Sequence, residues 1–201
     1  MQLLHVSAIS RETATSGVMN VMNMQDTTTE DAAARALTLG PGEGDAIWFL
    51  TNRITIKARA RATGGAYGLF EAEMPAGFSP PLHVHHREDE SFWILEGDFT
   101  VRCGDRTFRA APGAFVFAPR GVPHTFRADG PSGGRLLTLV TPGGCEEFFA
   151  AMGCPAGGEG LPPEGPLDVP RLKEIGARFG IDVVGPPMIS MDRATDRAKE
   201  A

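Results

Sequence analysis

Residues 77–97 read GFSPPLHVHHREDESFWILEG. The stretch holds three of the chain's five histidines and four acidic residues between two glycines. His83 and His85 are two apart, so an extended backbone sends both imidazoles from one face, about 6.6 Å apart along the strand. Two rings so placed can converge on one ion at about 2.1 Å. His86 is out of phase and should point elsewhere, to the rim or to a place behind the ligands, rather than bind. An apolar run, SFWIL, follows, and Glu90 is in phase with its Phe92 and Ile94. A turn between His85 and Glu90 returns a carboxylate to the face the histidines use. His124, in GVPHTF, is the remaining candidate and shares a phase with Phe126.

Outward from this stretch the chain is punctuated as a β protein. From Ala46, short runs (AIWFL, RITIKARA, AYGLFEAEM, SFWILEG, DFTVRCG, RTFRA, AFVFAP, HTFRA, RLLTLV) are divided by TN, TGG, EGD, CGD, APG, PRG and DGPSGG. With 25 Gly and 16 Pro, this reads as eight to ten strands closing a barrel or sandwich. The fold class is all-β with short C-terminal helices. Residues 1–44 read as an N-terminal arm, with a short helix around 30–36 and alternative start points at Met19, Met22 and Met24; His5 lies there and carries no role. Residues 45–142 form the barrel. Residues 143–201 form a helical extension. In it GGCEEFFAAMG packs Phe148 and Phe149 on the barrel, and a Pro/Gly linker follows. A second helix then starts at the N-cap Asp168, with Leu172, Ile175 and Phe179 on one face, and the tail frays from Asp192.

Composition narrows the classes. The formal net charge is −6 and no basic stripe stands out, so no nucleic-acid partner is expected. No apolar run reaches membrane-spanning length, and the first residues make a poor signal peptide. Three cysteines (Cys103, Cys145, Cys154) show no ligand spacing, so free thiols in a reducing cytoplasm are expected. Cys103, in phase with Val101, reads as a small buried hydrophobe.

The two histidine-bearing stretches together resemble the cupin superfamily. The first motif, G-x5-H-x-H-x4-E-x6-G, is matched by Gly77, His83, His85, Glu90 and Gly97, and the second, G-x5-P-x-G-x2-H, by Gly113, Pro119, Gly121 and His124. One departure is Ala128, where an Asn is frequent; that position does not bind metal in the family. Taken alone, HVHHREDE reads as a solvated charged loop. The second motif at its proper distance makes it half of a metal site. The resemblance implies a double-stranded β-helix (jelly-roll) barrel. It implies that His83, His85, Glu90 and His124 bind one divalent transition metal: Mn, Fe, Co, Ni, Cu or Zn. Spacing to Gly97 selects Glu90 over Glu88 and Asp89, which read as solvated or paired with arginines.

Within that superfamily, the segment from IWFL through GLFEAEMPAGFSPPLHVHHREDE to LLTLVTPGG, followed by a helix containing EEFF, looks like bacterial single-domain quercetin 2,3-dioxygenase-like proteins. There a flavonol binds the metal through its 3-oxygen, the ligand glutamate takes the hydroxyl proton, dioxygen opens the central ring and carbon monoxide leaves. Carried over, Glu90 is both ligand and catalytic base, and a small aromatic substrate and O2 are the partners. Two other readings stand beside it: a metal-dependent cyclase or isomerase of aromatic polyketide-like compounds, and a non-catalytic small-molecule binder. The phenylalanines at 70, 92, 115, 117 and 126 read mostly as core. Trp93 and Leu95 oppose Phe92 and Ile94, so the outer face of that strand needs cover. Barrels of this kind often dimerise, and a homodimer is expected.

Overall fold

The computed structural model describes residues 36–188 apart from 164 and 166. The expected helix around 30–36 lies almost wholly outside the described residues, as do His5, Met19, Met22, Met24 and the tail from Asp192. Ten strands follow one another over the expected barrel: β1 Asp45–Phe49, β2 Asn52–Ala58, β3 Gly68–Met74, β4 Pro81–His85, β5 Asp89–Glu96, β6 Phe99–Cys103, β7 Arg106–Ala110, β8 Phe115–Ala118, β9 His124–Ala128 and β10 Gly134–Thr141. Then come helix α1 (Glu146–Met152), the two-residue strand β11 (Cys154–Pro155), helix α2 (Val169–Arg178) and strand β12 (Ile181–Pro187).

The strands form two antiparallel sheets. The seven-stranded sheet runs β11-β1-β2-β3-β10-β5-β8 and the five-stranded sheet β12-β4-β9-β6-β7. This is the jelly-roll expected from the sequence. The period-two pattern sets which side faces inward. In β3, Gly68, Phe70, Ala72 and Met74 are buried, while Glu71 and Glu73 between them are half-exposed. Along β10, Gly134, Leu136, Thr138 and Val140 are buried in the same alternation. Phe70, Phe92, Phe99 and Leu136 are each at most 4% exposed. Each such side chain contributes about 1.5–3 kcal/mol relative to exposure.

The C-terminal segment departs from the sequence reading, which expected a helical extension. β12 pairs with β4, bringing Ile181 opposite His85 and Val183 opposite His83, so the extension supplies a strand to the barrel itself. The two helices behave as expected. Asp168 caps α2 by accepting from the Arg171 N–H at 3.0 Å, with Leu172 and Ile175 buried and Phe179 packed on the core. Phe148 and Phe149 of α1 make edge contacts with Phe49, and Phe149 does so with Phe70.

Two expected core residues lie outside. Phe115 and Phe117 are 53% and 52% exposed. Register explains it: Phe92 is opposite Val116 and Glu90 opposite Ala118. The smaller residues of β8 therefore share the inner face with Glu90, and its aromatics share the outer face with Trp93. Cys103 is half-buried and packs on the core.

Candidate metal centre

The three histidines and the glutamate come from opposite sheets. His83 and His85 stand on β4 and His124 on β9, with His83 directly opposite His124 in the ladder. Glu90 stands on β5 of the other sheet, between Val140 of β10 and Ala118 of β8. Residues 86–88 carry the chain from one sheet to the other, which is how two ligands on one strand and a third five positions later reach one point. The turn before β9 sets the last one: Gly121 has φ +77° and its N–H donates to His85 O at 2.7 Å, tying the second motif to the first.

The four side chains meet. His83, His85, Glu90 and His124 each offer one ligand atom, and these atoms lie within 4.8 Å of one another. Ligands about 2.1 Å from a common ion sit about 3–4 Å apart, so slight contraction closes the cage. Glu90 Oε2 is 3.0 Å from His124 Nε2 and 3.5 Å from His85 Nε2. On the far side of two rings, the backbone holds the other nitrogen. His83 Nδ1 lies 2.8 Å from Pro81 O and His124 Nδ1 3.1 Å from Val122 O. A carbonyl only accepts, so these Nδ1 atoms carry the proton and leave each Nε2 lone pair for the cage. The donor set, three imidazoles and one carboxylate, suits a borderline divalent ion.

Electrostatics agree with a cage shaped for positive charge. Burial alone pushes the Glu90 carboxyl up, but the facing His85 and His124 rings outweigh it and hold it low, at about 2. Burial, then the neighbouring His124 and His85 rings, lower His83 to about 3, so that ring is neutral as a ligand must be. For His85 burial opposes the proton, yet Glu90, Cys145 and Glu88 together raise its value. Burial pushes the Cys145 thiol up.

The flanking residues sort differently from expectation in one case. His86 is at the rim as expected, 2.9 Å from Asp182 through Nε2. Asp89 is held by Arg120, through its backbone N–H at 2.9 Å and its Nη2 at 2.7 Å, and its carboxyl is lowered by those bonds. Glu88, expected to be solvated or paired with an arginine, is only 4% exposed. Its Oε2 lies 3.7 Å from His85 Nδ1. The crossing from sheet to sheet turns this side chain beneath the cage. Cys145, at the start of α1, is also buried against His85. Neither neighbour could be found by spacing, because residues 86–88 follow no strand period and Cys145 is remote in sequence.

The cage opens on a partly open, mostly apolar cavity of about 100 Å³. His83, His85 and Glu90 line it together with Phe49, Ile54, Phe70, Met74, Phe78 and Phe92. An apolar, aromatic lining with a few convergent polar groups is that of a small-molecule site.

Residues 70–140, which hold all four of these side chains, match the family model described as Cupin domain. Among curated proteins, quercetin 2,3-dioxygenase of Bacillus subtilis (strain 168) is 29% identical over 126 residues, which is 63% of this chain and 37% of that protein. The chain thus spans little more than a third of that relative's length. Among solved structures, an RmlC-like cupin from Shewanella frigidimarina aligns with TM-score 0.47 and 20% identity, covering 56% of this chain and 96% of that one. KdgF from Halomonas sp. aligns with TM-score 0.44 and 20% identity, covering 48% and 84%. No helix among the described residues is long and apolar enough to cross a membrane.

Proposed function

We propose that this protein is a metal-dependent dioxygenase of the quercetinase kind, opening the central ring of a flavonol or a similar enolic aromatic substrate with O2. The observation that carries the reading is the buried three-histidine, one-glutamate cage facing an aromatic-lined chamber. The similarity to the Bacillus subtilis enzyme supports the reaction class. His83, His85, Glu90 and His124 would hold one divalent transition metal, which would supply Lewis-acid chemistry toward an enolic oxygen. The chain's own residues do the rest. The phenylalanines clamp a flat ring system and exclude water. Glu90 Oε2, 3.0 Å from His124 Nε2 in the cage, takes the substrate hydroxyl proton. Its low pKa makes it a modest base, offset by the acidity of a hydroxyl bound to a cation.

Metal-replete protein should consume O2 and release carbon monoxide as quercetin absorbance is lost. Glu90→Gln should slow turnover at least 100-fold. Turnover of an aromatic polyketide-like substrate under anaerobic conditions would favour a cyclase or isomerase instead, and a shifted flavonol spectrum without turnover would make the protein a binder.

A further inference from the structure

Two of the three cage histidines have their outward nitrogen held by a backbone carbonyl two residues earlier, Pro81 for His83 and Val122 for His124. His85 has no such carbonyl. Among the described residues, its Nδ1 is buried with no hydrogen-bond partner. The carboxylate oxygen facing it, Glu88 Oε2 at 3.7 Å, is also buried and also without a partner. Leaving two buried polar atoms unpaired side by side is costly, about 1–3 kcal/mol for each. Neither atom is open to bulk solvent. A movement of under 1 Å makes an ordinary hydrogen bond of them.

We propose that Glu88 is the positioning residue of His85. Its carboxylate accepts the His85 Nδ1–H, which fixes the ring's tautomer and aims Nε2 at the cage beside Glu90 Oε2. Glu88 thereby does for His85 what the carbonyls of Pro81 and Val122 do for the other two rings, with the difference that it carries charge. A carboxylate acceptor makes the imidazole a stronger donor to a cation. The other polar side chain against His85 is Cys145, and a thiol is a weak acceptor. The role rests on the metal-centre reading and extends it to a residue outside the motif.

The test is Co2+ titration of the full chain by competition with a chromophoric chelator, for wild type, Glu88→Gln, Glu88→Ala and Cys145→Ala. Wild type should take up one Co2+. Both Glu88 variants should bind 10- to 100-fold more weakly, and Cys145→Ala should stay within about twofold of wild type. A second measurement separates positioning from general loosening: long-range 1H–15N spectra of Zn2+-loaded protein labelled at histidine. Wild type should show a slowly exchanging, downfield His85 Nδ1 proton that moves upfield in Glu88→Gln, while the Nδ1 protons of His83 and His124 stay in place. Co2+ affinity unchanged in both Glu88 variants overturns the proposal. So does a wild-type His85 that carries its proton on Nε2, or loss of affinity in Cys145→Ala alone. Wild-type protein that binds no Co2+ overturns the metal centre itself, and the role of Glu88 with it.

Discussion

Glu90 is where the two sheets exchange chemistry: its carboxylate crosses to rings that stand on the opposite sheet. A buried carboxylate without an opposite charge is expensive, and the cage offers it two imidazole nitrogens and room for a cation. On the proposed metal reading, removing one of the four side chains removes both a bond to the ion and a partner of the remaining groups. His124→Ala and Glu90→Ala should therefore each cut the metal content of purified protein by more than tenfold, read by inductively coupled plasma mass spectrometry. Circular dichroism should keep the β signature. Metal content equal to wild type in either variant would remove that residue from the cage. At this scale the sequence was informative wherever alternation governs. His83 and His85 share a face because they are two apart on a strand, and Glu90 follows the phase of Phe92. It was uninformative at Glu88 and Cys145. One lies in a crossing between sheets, and the other stands at the N-terminal end of α1, 55 residues or more from the first motif's ligands.

Turns and registers decide the elements. Gly97 and Gly121 are both motif glycines with positive φ, +78° and +77°, but their surroundings differ. A Cβ on Gly97 would collide with the carbonyl oxygen of Gly133, whereas one on Gly121 would meet nothing within 4 Å. Gly121→Ala should thus cost only the left-handed backbone penalty, about 1–2 kcal/mol. Gly97→Ala must also displace the turn at Gly133 and should cost about 3 kcal/mol or more. Urea unfolding of the two variants checks this, and equal losses would contradict the packing. Asp129, at the end of β9, ties that strand to β6: it accepts from Thr100 Oγ1 at 2.5 Å and Arg127 Nε at 2.6 Å. Burial pushes its carboxyl up, but these bonds win and its folded value lies below 3.8. Its stabilisation is full above the unfolded value and is lost as pH falls through the lower folded one. Asp129→Asn should therefore destabilise by about 1–2 kcal/mol at pH 7, with the gap closing below about pH 3.8. A gap constant from pH 7 to pH 3 would exclude the charge as its cause. The ten strands of the barrel were legible because Gly and Pro turns bound each run. β12 was not: IDVVGPP carries the residues that normally end strands, and only its place at the sheet edge, beside β4, tolerates them. In FVFA both phases are apolar, so the inner face of β8 could be settled only by its register with β5.

The whole molecule has one face that its own described residues leave uncovered. Trp93, Phe115 and Phe117 stand together on the outside of β5 and β8, with the Trp93 and Phe115 rings 4.7 Å apart. The N-terminal strands and C-terminal helices, which the sequence offered as cover, pack elsewhere: β1 and β11 lie at the far edge of the same sheet, and α1 packs against β1, β3 and α2. β8 also ends its sheet, so one row of its backbone N–H and C=O groups faces outward. Such an edge is a template for another strand. Pairing β8 with its own copy across a two-fold axis would satisfy that row and join the two aromatic patches in one interface, a self-complementary arrangement. Size-exclusion chromatography with light scattering should then give about twice the subunit mass of 21.4 kDa. Because Phe115 and Phe117 point away from the cage, replacing both with Ser should yield a monomer that still holds one metal ion per chain. A wild-type monomer at micromolar concentration, or a variant that remains dimeric, would show that this face is not where two copies meet.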